Sequence, residues 1–202
     1  MTGTMATERA AIVRHGASLF DRRLTAGRTG NISVRVGDRI LITPTGTSLG
    51  SLIPDELALL DLNGEHLDGS KPSKEWPIHV ETYRARPDSH AVVHLHSSHA
   101  AAVSCLAGLD VADCLPPLTA YHVMRVGRVP LVPYMPPGDP ALGEEVGRAM
   151  SAAHSVLLAN HGSVLAGKTL AEAVDAAEEL EETARILLLV GDRPVSMVNY
   201  NP

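Results

Sequence analysis

The sequence predicts an α/β fold in which a largely antiparallel sheet is covered by helices on its faces. Two observations lead there: period-two apolar runs joined by two-residue turns, which make antiparallel hairpins, and helical-period segments distributed between them. A third bounds the size. A chain of 202 residues, 45% hydrophobic and 20% charged, suits one compact domain over 1–202 with a single core.

Glu8 to Leu24 spaces Ala11, Ile12, Ala17, Leu19 and Phe20 at helical intervals among charged residues, so an amphipathic first helix ends before Gly27. From Asn31, the alternation Ile32, Val34, Val36, then Gly37-Asp38, then Ile40 and Ile42 reads as a hairpin. Leu57 to Leu62, the turn Asn63-Gly64 and Glu65 to Leu67 repeat the pattern. Lys74 to Ala85 reads as a helix, Ala91 to His96 as a β-branched strand, and the Ala-rich stretch from Ser97 as a further helix. Val129 to Tyr134 and Val156 to Ala159 read as strands separated by a helix from near Pro140. In the last helix Thr169 and Glu172 form a capping box, and Leu170, Ala173, Val174, Ala177, Leu180, Ala184 and Leu187 recur on one face until Gly191.

The net charge of −6 and the lack of a Lys/Arg cluster argue against nucleic acid or an anionic membrane as partner, so an anionic ligand must be held locally. No run of about 18 apolar residues and no leading basic-then-apolar segment is present, which makes the cytoplasm the expected location. In that reducing setting Cys105 and Cys114, both in apolar surroundings, are read as core filler.

Two segments carry metal chemistry. His94 and His96 lie two apart on a strand, so their imidazoles share a face about 6.6 Å apart. His161, in Asn160-His161-Gly162, ends another strand. Three imidazole nitrogens with a fourth position left open are what a catalytic zinc site needs, and Glu75 adds a carboxylate. The remaining histidines, His15, His66, His79, His90, His99, His122 and His154, read as surface or hydrogen-bonded core residues. His99, one turn into the helix after the ligand strand, is the one whose position could also let it face the site.

Three small-residue segments have the chemistry that lets backbone N–H groups close around an anion: Thr29-Gly30-Asn31, Thr43-Pro44-Thr45-Gly46-Thr47 and Pro72-Ser73-Lys74. Each alone is more readily an ordinary turn, and it is the three together that point to an anion. Lys74 adds a positive charge suited to a phosphate or a substrate carboxylate. Glu75 follows it at a helix start, where a carboxylate can also serve only the helix.

Taken in order, Gly30-Asn31-Ile32-Ser33-Val34-Arg35, Ile42-Thr43-Pro44-Thr45-Gly46, Ser73-Lys74-Glu75, His94-Leu95-His96 and Asn160-His161-Gly162 resemble the class II aldolase/adducin family. The resemblance implies a three-layer fold with a nine-stranded-type antiparallel sheet and a C4 homotetramer. It implies one zinc ion per chain on His94, His96 and His161, or another divalent metal that such ligands accept. It assigns Glu75 as the acid/base that can also ligate the resting metal. Phosphate falls to Asn31, Thr45, Gly46 and Ser73, with Lys74 beside them. Tyr121 is the second acid/base candidate, reaching a neighbouring subunit's site.

Lys74 stands where fuculose phosphate aldolases carry a second serine. With Lys71-Pro72-Ser73-Lys74-Glu75, Ala91 to His96 and Leu115 to Tyr121, the chain looks like the branch that decarboxylates 3-oxo-tetronate 4-phosphate through a zinc-stabilised enediolate. The alternatives are a ketose-phosphate aldolase or epimerase, which shares that intermediate, and a non-catalytic adducin-like interaction module, which is expected to lack the metal ligands.

Overall fold

The structure is a computed structural model that describes residues 2–199. Eight strands form one sheet in the order β4-β3-β2-β1-β5-β8-β7-β6. They are β1 Asn31–Val36, β2 Arg39–Ile42, β3 Ala58–Asp61, β4 His66–Asp68, β5 Ala91–Leu95, β6 Leu131–Val132, β7 Ser155–Leu158 and β8 Gly162–Gly167. All neighbours pair antiparallel except β6 and β7, which pair parallel. The helices are α1 Thr2–Asp21, α2 Trp76–Ala85, α3 Ser98–Ser104, α4 Ala120–Arg125, α5 Pro140–Met150 and α6 Leu170–Val190.

Strand alternation sorts the side chains into two layers. Ile32, Val34, Leu41, Val93, Leu95, Leu157 and Leu165 join one apolar cluster with residues of α1, α3 and α6. The residues alternating with them, Ile40, Ile42, Leu60, Val92, Val156, Leu158 and Val164, join the other with residues of α2 and α5. Helices therefore cover both faces, which is why β5 is buried along its whole length and reads as a near-continuous apolar run. On the second face α5 lies close against α2. A Cβ on Gly143 would meet Pro77 at 2.9 Å and one on Gly147 would meet Glu81 at 3.1 Å. The capping box at Thr169 is present, its side chain accepting from the Glu172 backbone N–H.

Several expectations are corrected. The sheet has eight strands among the described residues, not nine, and one parallel pair. Strand β8 was not foreseen, because Gly162-Ser163-Val164-Leu165-Ala166-Gly167 carries glycine at both ends and only two β-branched or large apolar residues. Its glycines are required by crowding: a Cβ on Gly162 would sit 2.2 Å from the Leu95 carbonyl oxygen. Helix α4 is likewise new. It is too short for a periodicity to register, and the Thr119 side chain caps it by accepting from the His122 N–H. The strand expected over Val129 to Tyr134 shrinks to Leu131–Val132, with Pro130 and Pro133 on either side limiting the ladder. Cys114 is buried, but Cys105 is exposed rather than core filler.

Candidate metal centre

Register brings the site together at one end of the three central strands. Asn31, the first residue of β1, pairs directly with His94 near the end of β5, and Leu95 pairs with Ser163 at the start of β8. The β7–β8 turn supplies His161. Asn160 before it adopts φ +55°, a left-handed conformation that asparagine tolerates better than most residues. Its backbone N–H donates to the Ser104 carbonyl, while that of His161 reaches the Ser104 hydroxyl, so helix α3 fixes the turn.

Glu75 is the N-cap residue of α2, yet its side chain makes no capping hydrogen bond. It is buried and turned into the cluster, with one oxygen 3.1 Å from His161 Nε2 and the other 3.5 Å from His94 Nε2. That geometry removes the reading of Glu75 as an ordinary helix-start carboxylate. The His94, His96 and His161 rings stand edge to face with centroids 4.6 to 5.0 Å apart. One ligand atom from each of the four residues lies within 4.8 Å of the others.

The donor set fits a metal ion. The Ser163 carbonyl accepts from His94 Nδ1–H at 2.9 Å, which leaves the Nε2 lone pair pointing into the cluster. His94 Nε2 and His96 Nε2 approach to 2.9 Å. Glu75 Oε1 and both His161 ring nitrogens are buried without a hydrogen-bond partner, although Oε1 and Nε2 are close. Atoms that crowd without bonding each other converge on a common point, and a cation there satisfies them. Charge is arranged accordingly. Burial disfavours the Glu75 anion, but the His94 and His161 neighbours outweigh it and hold the carboxyl well below the usual range. Burial and the charges of His94 and His161 push His96 down to about 3, keeping it a neutral ligand.

A cavity of about 380 Å³ opens beside the cluster, lined by Asn31, Thr45, Gly46, Ser73, Lys74, Glu75 and His96 among others. Its loops are stitched together: Thr45 N–H donates to the Lys71 carbonyl, Ser73 N–H to the Thr43 carbonyl, and Pro44 bridges to Pro72. Gly46 has φ +70° and nothing near the position of a Cβ, so its backbone is open. The Ser73 hydroxyl accepts from the Glu75 N–H at 3.3 Å.

All ten residues singled out from sequence except Tyr121 fall at this cavity or cluster. Tyr121 is exposed and lines a separate surface depression with Arg125 and Glu178. His99 does not face the site. Its Nδ1–H donates to Glu181, whose carboxylate also takes the backbone N–H groups of His99 and Ala100 and so secures the start of α3. Arg28, which lines the cavity, was missed. His79 is the hydrogen-bonded core residue the sequence allowed, but its partner, Asn31 at the cavity, was not foreseen. The spacing Glu75, His79, Tyr83, one helical stripe of polar groups, was the available signal for His79.

The profile described as Class II Aldolase and Adducin N-terminal domain matches residues 10–188. This chain belongs to the class II aldolase and adducin family. Among its family relatives, the 3-oxo-tetronate 4-phosphate decarboxylase of Pectobacterium atrosepticum is 48% identical over 93% of this chain and 86% of that protein. An L-fuculose phosphate aldolase of Methanococcus maripaludis is 38% identical over 83% of this chain and 89% of its own length. The crystal structure of Escherichia coli YgbL superposes with a TM-score of 0.94 at 42% identity, covering 97% of this chain and 95% of that one.

Proposed function

We propose that the protein is a carboxy-lyase that converts 3-oxo-tetronate 4-phosphate to dihydroxyacetone phosphate and CO2. The observation that carries this reading is a four-residue metal-type cluster opening onto a cavity with two cationic residues, Lys74 and Arg28, where a relative at 48% identity bears the decarboxylase name. The substrate has an anion at each end, a carboxylate and a phosphate. Neither cation forms an ion pair among the described residues, so both remain available.

His94, His96 and His161 would hold zinc, which supplies Lewis-acid polarisation of the substrate's keto oxygen when bound. The phosphate is bound by the open backbone at Gly46, the side chains of Thr45 and Ser73 and the amide of Asn31, beside Lys74. When the C1–C2 bond breaks and CO2 leaves, its electron pair forms the enediolate. Glu75, a carboxylate at rest, takes up a proton from solvent and passes it to C2, which completes dihydroxyacetone phosphate. Tyr121 acts at the site of a neighbouring subunit in a C4 homotetramer, which agrees with its exposure on a single chain. Residues 1–202 act as one domain, since every described strand joins one sheet. An exposed free thiol at Cys105 suits a reducing, cytoplasmic setting. No helix among the described residues is long and apolar enough to cross a membrane.

The competing reading is a ketose-phosphate aldolase or epimerase, favoured by the fuculose phosphate aldolase relative, since the same proton carrier serves both. An adducin-like module without chemistry is disfavoured by the intact cluster. The deciding experiment incubates zinc-loaded protein with 3-oxo-tetronate 4-phosphate and with fuculose 1-phosphate, measuring CO2 and dihydroxyacetone phosphate separately. Release of CO2 from the oxo acid supports the decarboxylase. Efficient cleavage of fuculose 1-phosphate with no CO2 from the acid replaces it with the aldolase.

A further inference from the structure

A row of buried polar groups crosses the otherwise apolar layer between β1 and α2. Asn31 and Ser33 lie two apart on β1 and share the face toward α2, while Glu75, His79 and Tyr83 lie four apart along α2. All five are buried. Their contacts form one continuous chain: Asn31 Nδ2 to Glu75 Oε2 at 2.9 Å, His79 Nε2 to Asn31 Oδ1 at 2.5 Å, Ser33 Oγ to His79 Nδ1 at 2.7 Å and Tyr83 Oη to Ser33 Oγ at 2.8 Å.

The direction of every bond follows from one end. A carboxylate only accepts, so Asn31 presents its NH2 to Glu75 and its carbonyl to His79. His79 Nε2 must then carry the proton and Nδ1 must accept. The Ser33 hydroxyl donates to Nδ1, and the Tyr83 hydroxyl donates to Ser33. We propose that His79, backed by Ser33 and Tyr83, is a positioning residue that locks the Asn31 amide so that only N–H groups face Glu75 and the substrate. With Oδ1 held by His79, one Asn31 N–H fixes Glu75 Oε2 and the other remains free for an anionic substrate oxygen. Without that anchor the amide can turn over and set Oδ1 against the carboxylate and the substrate anion, a repulsive arrangement. The proposal rests on the reading of Glu75 as the proton carrier and extends it to how that carboxylate is held.

The test compares His79→Phe, which keeps a ring but removes both nitrogens, with His79→Gln, which restores a donor toward Asn31. It adds Ser33→Ala and Tyr83→Phe. In zinc-loaded, folded protein His79→Phe should lose about 10- to 100-fold in kcat/KM with part of the loss in kcat, as losses of groups behind a metal ligand do. His79→Gln should recover most of it, and the loss should shrink in the order His79→Phe, Ser33→Ala, Tyr83→Phe. A residue serving only stability would lower the melting temperature and leave kcat per metal-loaded site unchanged. Independently of activity, long-range ¹H–¹⁵N NMR on the wild-type protein should show the His79 proton on Nε2, and this reading survives even if His79→Phe fails to fold. A proton on Nδ1, wild-type kcat/KM in folded His79→Phe, or equal losses in His79→Phe and His79→Gln each overturn the proposal. A fully active Glu75→Gln variant would instead remove the proton-carrier reading and leave the tautomer result standing.

Discussion

The metal-type cluster and the anion cavity share Glu75 but are built in opposite ways. His94, His161 and Glu75 are buried, held by strand register, a fixed turn and a chain of hydrogen bonds. Thr45, Gly46, Lys74 and Arg28 are exposed and sit on loops, those of Thr45 and Lys74 tied to each other by backbone bonds. Buried groups with converging lone pairs cannot relax without leaving polar atoms unsatisfied, so that half tolerates little change. The exposed half offers free donors to a ligand that brings its own charge. Chemistry common to a family belongs on the first kind of construction, and discrimination between substrates on the second.

The largest test of this contrast is His94→Ala. It removes the cluster ring whose tautomer the Ser163 carbonyl fixes, so we expect bound metal, about one ion per chain in the wild type, to be lost and turnover with it. Full occupancy by elemental analysis at micromolar free zinc would show that the cluster is not the metal site. Next is Glu75→Gln, nearly isosteric but unable to carry the proton. Turnover should fall about 10²- to 10⁴-fold while metal content and circular dichroism stay at wild-type values. Near-normal product formation would move the acid/base role, with Tyr121 the next candidate.

The rigid half was the more legible of the two in sequence. An H-x-H pair at a strand end and a histidine in an Asn-x-Gly turn announce convergence because strand periodicity fixes where side chains point. Legibility failed where partnership depends on packing between distant segments. His79 and His99 look alike in sequence, each a histidine on a helix near a motif. Only the docking of α2 on β1 sends His79 to Asn31, and only α6 offers Glu181 to His99. Strand β8 was hidden for a related reason, since its glycines answer to the approach of the Leu95 backbone rather than to local propensity. Arg28 escaped notice because a lone arginine in a loop carries no periodic signal.

His79 also gives the rigid half a pH signature. Burial, and then the charge of His94, depress its pKa from 6.5 to about 3, with Glu75 acting in the opposite sense. Between those values the unfolded chain takes up a proton that the folded protein refuses. This contribution to stability is therefore intact above about pH 6.5 and is lost progressively as the pH falls toward 3. At about 1.4 kcal/mol per unit the whole window amounts to roughly 4–5 kcal/mol. In metal-stripped protein, urea unfolding at pH 7.5 and about pH 4.5 should show wild type losing about 3 kcal/mol more than His79→Gln between the two conditions. Parallel losses would mean that His79 is protonated in the native state.

The smallest effect belongs to the adaptable half, at Lys74. Its stem lies against the loop at Gly138, where a Cβ would meet Lys74 carbon atoms at 3.5 Å, so the ammonium is steered along the cavity wall rather than buried. A charge-assisted contact from it to the substrate is worth about 1.5–3 kcal/mol, or roughly a ten- to hundredfold loss when removed. If Lys74 holds the phosphate equally in ground and transition states, Lys74→Ser raises KM and leaves kcat nearly unchanged. If it instead faces the departing carboxylate, kcat falls, because that contact changes as the C1–C2 bond breaks. Arg28→Ala should then show the complementary split, since a substrate with two anionic ends gives each cation one of them. The serine alone should not create fuculose 1-phosphate cleavage, which also needs a pocket for the aldehyde fragment. Identical kinetic losses for Lys74→Ser and Arg28→Ala, with an unchanged kcat in both, would place both cations on the phosphate and leave the carboxylate to other groups.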